Sequence, residues 1–177
     1  MKIKSITSIF LLAISCLLLA TGLIGCGYTT GSLLPDNIKT IFVPMFKNSI
    51  SSGSLTYQYH PGIEGDITRE IVDRFVFDGR LKIAKEEKAD LVLTGEVIDY
   101  IKDPLRYGPD RETVTEYRLT LAVRISCYDT ARGVVLWKEN RFTGDGNYFI
   151  ASGESSGLRA AIKDLSKNIV DRTVEGW

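Results

Sequence analysis

From Thr113 to Tyr128, apolar and polar residues alternate in a two-residue rhythm. Leu119, Leu121, Val123, Ile125 and Cys127 fall on one side, and Arg118, Thr120, Arg124 and Ser126 on the other. That is the pattern of a strand with one buried face. Cys127 belongs to the apolar side and is expected as an inert core thiol. Leu91, Leu93 and Val97 alternate with Thr94 and Glu96, which predicts another long strand from about Ala89 to Tyr100. Thr130-Ala131-Arg132-Gly133 has hairpin-turn chemistry, and Val134 to Phe142 returns as a further strand. Ile38 to Phe46 reads as the first strand of the series, stopped by Pro44.

Two stretches switch to a helical period. Ile63, Ile67, Ile71 and Phe75 recur between Pro61 and Phe77, and Asp78-Gly79 follows with a residue suited to a left-handed cap. Leu158, Ala161, Ile162, Leu165 and Ile169 form a second stripe behind Ser152, a candidate N-cap, with Arg159, Lys163, Lys167 and Asp171 facing water. Lys47 to His60 is a polar Gly/Ser-rich loop, and Gly144-Asp145-Gly146-Asn147 reads as a turn. The order strand-helix-strand-strand-strand-helix gives an α+β class. The expected architecture is a two-layer sandwich, two helices packed on one face of a four-stranded mixed sheet. Its other face carries Val92, Ile98, Tyr100, Val114 and Ala122, a partly apolar surface that implies a partner.

The start of the chain follows another logic. Lys2 and Lys4 precede an uncharged, apolar or small-residue run from Ile6 to Ile24, ending in Leu23-Ile24-Gly25-Cys26. A basic start, an apolar middle and a small-residue end describe a secretory signal peptide, and the last four residues resemble a bacterial lipobox. In signals of that kind the Cys26 thiol is acylated and becomes the first residue. Cys16 is a second candidate, but it leaves too short an apolar core. Gly27, rather than an aspartate, follows Cys26, which in such signals implies the outer membrane. The expected division is a signal peptide over 1–25, a lipidated tether over 26–37 and one domain over 38–177.

Composition narrows the chemistry. The 177 residues are 44% hydrophobic and 25% charged, with 22 basic against 22 acidic side chains, an ordinary globular balance without the basic excess of a nucleic-acid binder. Removing Lys2 and Lys4 with the signal leaves 20 basic against 22 acidic residues, a charge of −2. Cys127 is then the one cysteine besides Cys26, so no internal disulfide is expected. One histidine and three cysteines are too few for a typical zinc site. His60 has no acidic orienter near it in sequence, Glu86-Glu87 with Asp90 read as a solvated turn, and no Gly-x-Ser-x-Gly nucleophile elbow occurs. The chain is expected to be no enzyme and to need no cofactor or metal beyond the lipid on Cys26.

Several segments in order resemble the LptE family of lipopolysaccharide (LPS)-assembly lipoproteins. They are Cys26-Gly27-Tyr28, Ile38 through Asn48, Asp78-Gly79-Arg80-Leu81, Ala89 through Gly95, Thr115 through Leu119 and Val135-Leu136-Trp137. The resemblance implies two helices against a four-stranded sheet. It implies a non-enzymatic role as plug and assembly partner of the outer-membrane β-barrel LptD, in contact with LPS. The family links LPS binding to a basic residue before the Glu-Tyr strand and to another on the following strand. Here these fall on Arg111 and Lys138, with Arg106 as a third in the Pro104–Pro109 loop. LPS carries phosphates, so such cations belong beside apolar surface. The stretch from Ile41 through Gly95 also resembles periplasmic lipoproteins of the LpoB and CsgG type, a peptidoglycan-synthase activator and a secretion pore. The first needs a long tether and the second extra membrane hairpins, and neither is expected here.

Overall fold

The computed structural model describes residues 34–35, 37–50 and 60–175. The expected signal peptide, Cys26 and nearly all of the tether lie outside the described residues. Strands β1 (Thr40–Phe42) and β2 (Lys47–Asn48) come first, followed by helix α1 (Ile63–Asp78) and strand β3 (Lys82–Ile83). Three long strands follow, β4 (Leu91–Tyr107), β5 (Val114–Asp129) and β6 (Val134–Phe149), and helix α2 (Glu154–Glu175) closes the series. The sheet order is β3-β1-β4-β5-β6, with β2 alongside β4. β1 and β2 run parallel to β4, whereas β4, β5 and β6 form an antiparallel meander. Both helices contribute to one core on a single face of the sheet, so the α+β sandwich is as predicted.

The sheet has six strands rather than four. Pro44 has no backbone N–H to give a neighbour, so the first predicted strand breaks into β1 and β2. The Phe46 N–H instead bonds the Thr68 hydroxyl on α1 at 3.0 Å. The Phe46 ring then lies directly over Gly95, where any Cβ would fall 2.1 Å from it. β1 is held to β4 by Asp90, whose carboxylate accepts the backbone N–H groups of Lys39 and Thr40 at 2.9 Å each and the Thr40 hydroxyl at 2.8 Å. Asp90 is thus a clasp, not a solvated turn residue. Those bonds, led by the Lys39 N–H, hold its carboxyl below the ordinary range. A depressed value means stability present above the unfolded aspartate value of about 3.9 and lost as pH falls through the folded one. Asp90→Ala is expected to cost about 2 kcal/mol at pH 7, with the gap from wild type closing toward pH 2 in urea titrations.

α1 buries Ile63, Ile67, Ile71 and Phe75 and ends at Gly79, φ 76°, whose N–H bonds the Phe75 carbonyl at 3.0 Å. The stripe and cap are those of the sequence. β5 buries the predicted apolar set, and the Cys127 thiol is pushed up to about 12, by burial first and then by the charge of Asp129. Gly133, φ 69°, closes the β5–β6 turn.

Three expectations change. Gly144 to Asn147 is no turn but part of β6, which runs on to Phe149. There α2 comes so close that a Cβ on Gly144 would sit 2.4 Å from the Leu165 nitrogen, and one on Gly146 2.1 Å from the Gly157 carbonyl oxygen. α2 starts at Glu154, after a 3-10 turn over Ile150–Ser152 and Gly153 at φ 76°, so Ser152 is not its cap. β4 also runs past Tyr100 to Tyr107, placing Arg106 in a strand.

A bulge between Val97 and Asp99 reverses the alternation along β4 and turns Tyr100 into the helix side, where it is fully buried. The open face is therefore more polar than the pattern suggested. Arg124 meets Glu96 at 2.8 Å, and Arg141 on β6 meets Asp99 on β4 at 3.1 Å, arching over the buried Ala122 between them. β6 forms one edge of the sheet. Two irregularities interrupt its pairing, at Asn140–Arg141 and at Leu136, and the Asp145 N–H is capped by the Asp164 carboxylate at 3.0 Å.

Candidate functional site

Three places on the described residues gather polar side chains by folding. The first is the β4–β5 turn. Asp110 accepts the N–H groups of Glu112 (3.2 Å) and Thr113 (3.0 Å) as well as the Thr113 hydroxyl. These bonds, the hydroxyl first, hold its carboxyl below the ordinary range. Arg111 stands at the tip of this turn in the left-handed region, φ 58°, and Arg106 pairs with Glu116 at 3.4 Å. From Asp103 to Glu116 the two arginines stand among three exposed carboxylates, Asp103, Asp110 and Glu112, and the buried Glu116. Anions are therefore not drawn to the tip by local charge.

The second place lies at the other end of the open face. Pro44, Met45, Lys47, Thr94, Glu96, Arg124, Ser126 and Lys138 line an open groove of about 380 Å³. It holds three cations to one carboxylate, with Met45 65% exposed beside them. Lys138 is opposite Ser126 on β5, and Tyr107 is opposite Val114 at the hairpin tip. Those twelve residues of strand put Lys138 and Arg111 about 40 Å apart. The fold does not bring Arg111 and Lys138 into one site. Arg106 stays at the Arg111 end, while Lys47 and Arg124, which the sequence did not single out, join Lys138.

The third place is inside, under the start of α2. Glu154 accepts the Tyr100 hydroxyl at 2.5 Å and the Lys102 ammonium at 2.9 Å, and faces His60 Nε2 at 3.4 Å. His60 stacks on Tyr100 with ring centroids 5.1 Å apart, so it has an acidic neighbour after all, from far along the chain. Lys102 also lies 5.0 Å over the Tyr117 ring, which stacks on Tyr148. Burial pushes the Glu154 carboxyl up, but the bonds from Tyr100 and Lys102 outweigh it and hold the group below its usual value. Glu154 in turn raises Lys102. The arrangement is a structural clasp between sheet and helices. Among the described residues no group of three or more His, Cys, Asp or Glu is placed to hold a metal ion.

Residues 38–175 match the family model described as LptE, lipopolysaccharide-assembly. The chain belongs to the LptE family. No curated protein sequence matches it. Among solved structures, protein XCC0632 from Xanthomonas campestris is similar at a TM-score of 0.57 and 11% identity, with 82% of this chain and 89% of that one covered. The hypothetical protein CT253 from Chlamydia trachomatis is similar at 0.54 and 13% identity, with 77% and 95% covered. At such identities the likeness is one of fold. Of the three places, the groove is the one in which cations outnumber carboxylates by two.

Proposed function

We propose that this protein is an outer-membrane lipoprotein of the LPS-assembly machinery. In this reading residues 1–25 are removed as a signal peptide and Cys26 carries the lipid. The tether over 26–37 then holds the domain on the periplasmic side of its membrane. There it lodges in the β-barrel LptD as plug and assembly partner and contacts LPS without catalysing a reaction. The family match over residues 38–175 carries the reading, and the Leu23-Ile24-Gly25-Cys26 sequence supports the anchor. Lys138, Arg111 and Arg106 are the proposed LPS contacts. The charge around them supports Lys138 over the two arginines.

The deciding experiment is a crosslinked pull-down of the tagged, full-length protein from native outer membranes. A large β-barrel of LptD size is expected in stoichiometric yield. Recovery of a peptidoglycan synthase, or of this protein alone, would refute the plug role and favour the activator or pore type. In the same strain Cys26→Ala is expected to abolish the acyl mass on the mature N-terminus and to release the domain from the membrane fraction. Retention in the membrane without acylation would contradict the anchor.

A further inference from the structure

The end of the domain at which the described chain begins has a surface unlike the rest. The Ile38 N–H bonds the Pro35 carbonyl at 2.9 Å, a turn that keeps Leu34 close to the start of β1. β1 pairs with β3 at Lys82 and with β4 at Leu91, and Leu91 is opposite Asp129, the last residue of β5. α1 stops four residues before Lys82. The start of the domain, the close of α1, β3 and the β5–β6 turn therefore share one end of the sandwich. Two groups of apolar side chains stand in water there. Val76 (65% exposed) and Phe77 (80%) close α1 just ahead of the exposed Ile83 on β3, and Tyr128, Val134 and Val135 flank the β5–β6 turn. β3 and β6 are the two edges of the sheet, four strand spacings or about 19 Å apart. Lys82, Lys85 and Lys88 are exposed at this end and form no ion pair among the described residues. Of the nearby carboxylates only Glu86 and Glu87 face them freely, because Asp78 holds Arg80, Asp90 holds β1 and the buried Asp129 holds Arg132.

Chain length decides what this end can meet. Eight residue steps lead from Cys26 to Leu34, and fully extended they span at most about 29 Å. β4 carries the far hairpin tip about 50 Å beyond Leu91. A domain anchored through Cys26 can stand on its near end or lie on a side, but it cannot stand on the tip. The sides suit lipid poorly. The open face is crossed by the Arg124–Glu96 and Arg141–Asp99 pairs, and the outward side of the helices exposes Asp66, Arg69, Arg159 and Lys163. We infer that the free lipoprotein, before a barrel encloses it, stands upright on the phospholipid surface that holds its anchor. Val76 and Phe77 seat at one edge of the sheet, and Tyr128, Val134 and Val135 at the other. Aromatic and apolar side chains beside lysines fit a headgroup layer, where rings and aliphatic stems sink in and ammonium groups stay in water. This rests on the Cys26 anchor proposed above and goes beyond it by naming the face turned to the bilayer. The tip is thereby held out toward arriving partners.

The protein is expressed with its full leader, purified from membranes and reconstituted into vesicles of phosphatidylethanolamine and phosphatidylglycerol that hold no other protein. Phe77→Cys, Val135→Cys, Asp110→Cys, Thr143→Cys and Lys163→Cys each carry an environment-sensitive fluorophore, and the buried Cys127 does not compete for it. The labels at Phe77 and Val135 are expected to shift to the blue and to lose most of their emission to lipid spin-labelled at the headgroup. Those at Asp110 on the tip, Thr143 on the open face and Lys163 on α2 should keep theirs. Adding Phe77→Ser, Val134→Ser and Val135→Ser, all at exposed positions, is expected to raise energy transfer from a donor at Asp110→Cys to acceptor lipid, because the tip is no longer held away. Equal quenching at Thr143 or Lys163 would mean that the domain lies on its side, and unquenched labels at Phe77 and Val135 would mean that it does not seat. Either result overturns the inference, as would shielding of those two labels in native outer membranes but not in vesicles, which would give the end to a protein partner. The mass of the N-terminal residue separates this inference from the anchor. Acylated Cys26 with unseated labels leaves the anchor standing, whereas a missing acyl mass refutes the anchor itself.

Discussion

Replacing Gly146 with valine is expected to lower the stability of the domain by about 3 kcal/mol, and the melting temperature by about 10 °C. The new Cβ would stand 2.1 Å from the Gly157 carbonyl oxygen and 2.5 Å from the Ala161 nitrogen. Both are backbone atoms of α2, so no side chain can turn aside to make room. The helix must move away from β6, and Leu165, Ile169 and their neighbours lose part of their packing. Propensity argues the opposite way, because valine suits a strand better than glycine does. The two effects are thus separable by sign. A urea midpoint at or above that of the wild type would mean that α2 does not rest on this stretch of β6.

Glu154→Ala is expected to cost about 2 kcal/mol. Fully buried pairs broken on one side lose about 3–5 kcal/mol. Here Lys102 keeps a third of its side chain in water, which offsets part of the loss. Without the carboxylate, Lys102 lacks its counter-charge, Tyr100 loses its 2.5 Å acceptor, and the first turn of α2 comes free of β4. The signs of the pH dependence follow from the two shifts. Glu154 is depressed in the fold, so its contribution is complete above the unfolded glutamate value near 4.3 and fades as pH falls below it. Lys102 is raised, so its contribution is complete below the unfolded lysine value near 10.4 and fades as pH climbs past it. Wild type and Glu154→Ala should therefore differ most on the plateau between these limits and converge toward acid. Thermal melts at pH 3, 7 and 10 would show it, and a constant difference down to pH 3 would contradict the clasp.

What the sequence revealed and what it hid divide along the distance over which each signal acts. The α1 stripe, its Gly79 cap, the β5 alternation and the turn at Gly133 are local patterns, each legible from one stretch of chain. The Gly144–Gly146 pair misled because glycine marks turns in general, whereas here the reason for it is a helix arriving from later in the chain. Tyr100 was assigned to the wrong face because one extra residue in a strand reverses every later position. The Glu154 clasp was hidden because its partners Tyr100 and His60 are 54 and 94 residues away. Among the basic residues, spacing along the chain located Lys138 but not its companions. Lys47 and Arg124 meet it only through the parallel pairing of β2 with β4 and the meander beyond, which no run of residues announces.

The interrupted edge of the sheet has a consequence for crowding. A strand of 16 residues with one side unpaired is the part of such a fold most able to recruit another copy and start a polymer. On β6 the pairing slips at Leu136 and again at Asn140–Arg141, and α2 reaches over to occupy the Asp145 N–H through Asp164. A second copy therefore meets no straight ladder along the whole edge. Many copies can be concentrated in one layer without zipping together strand to strand.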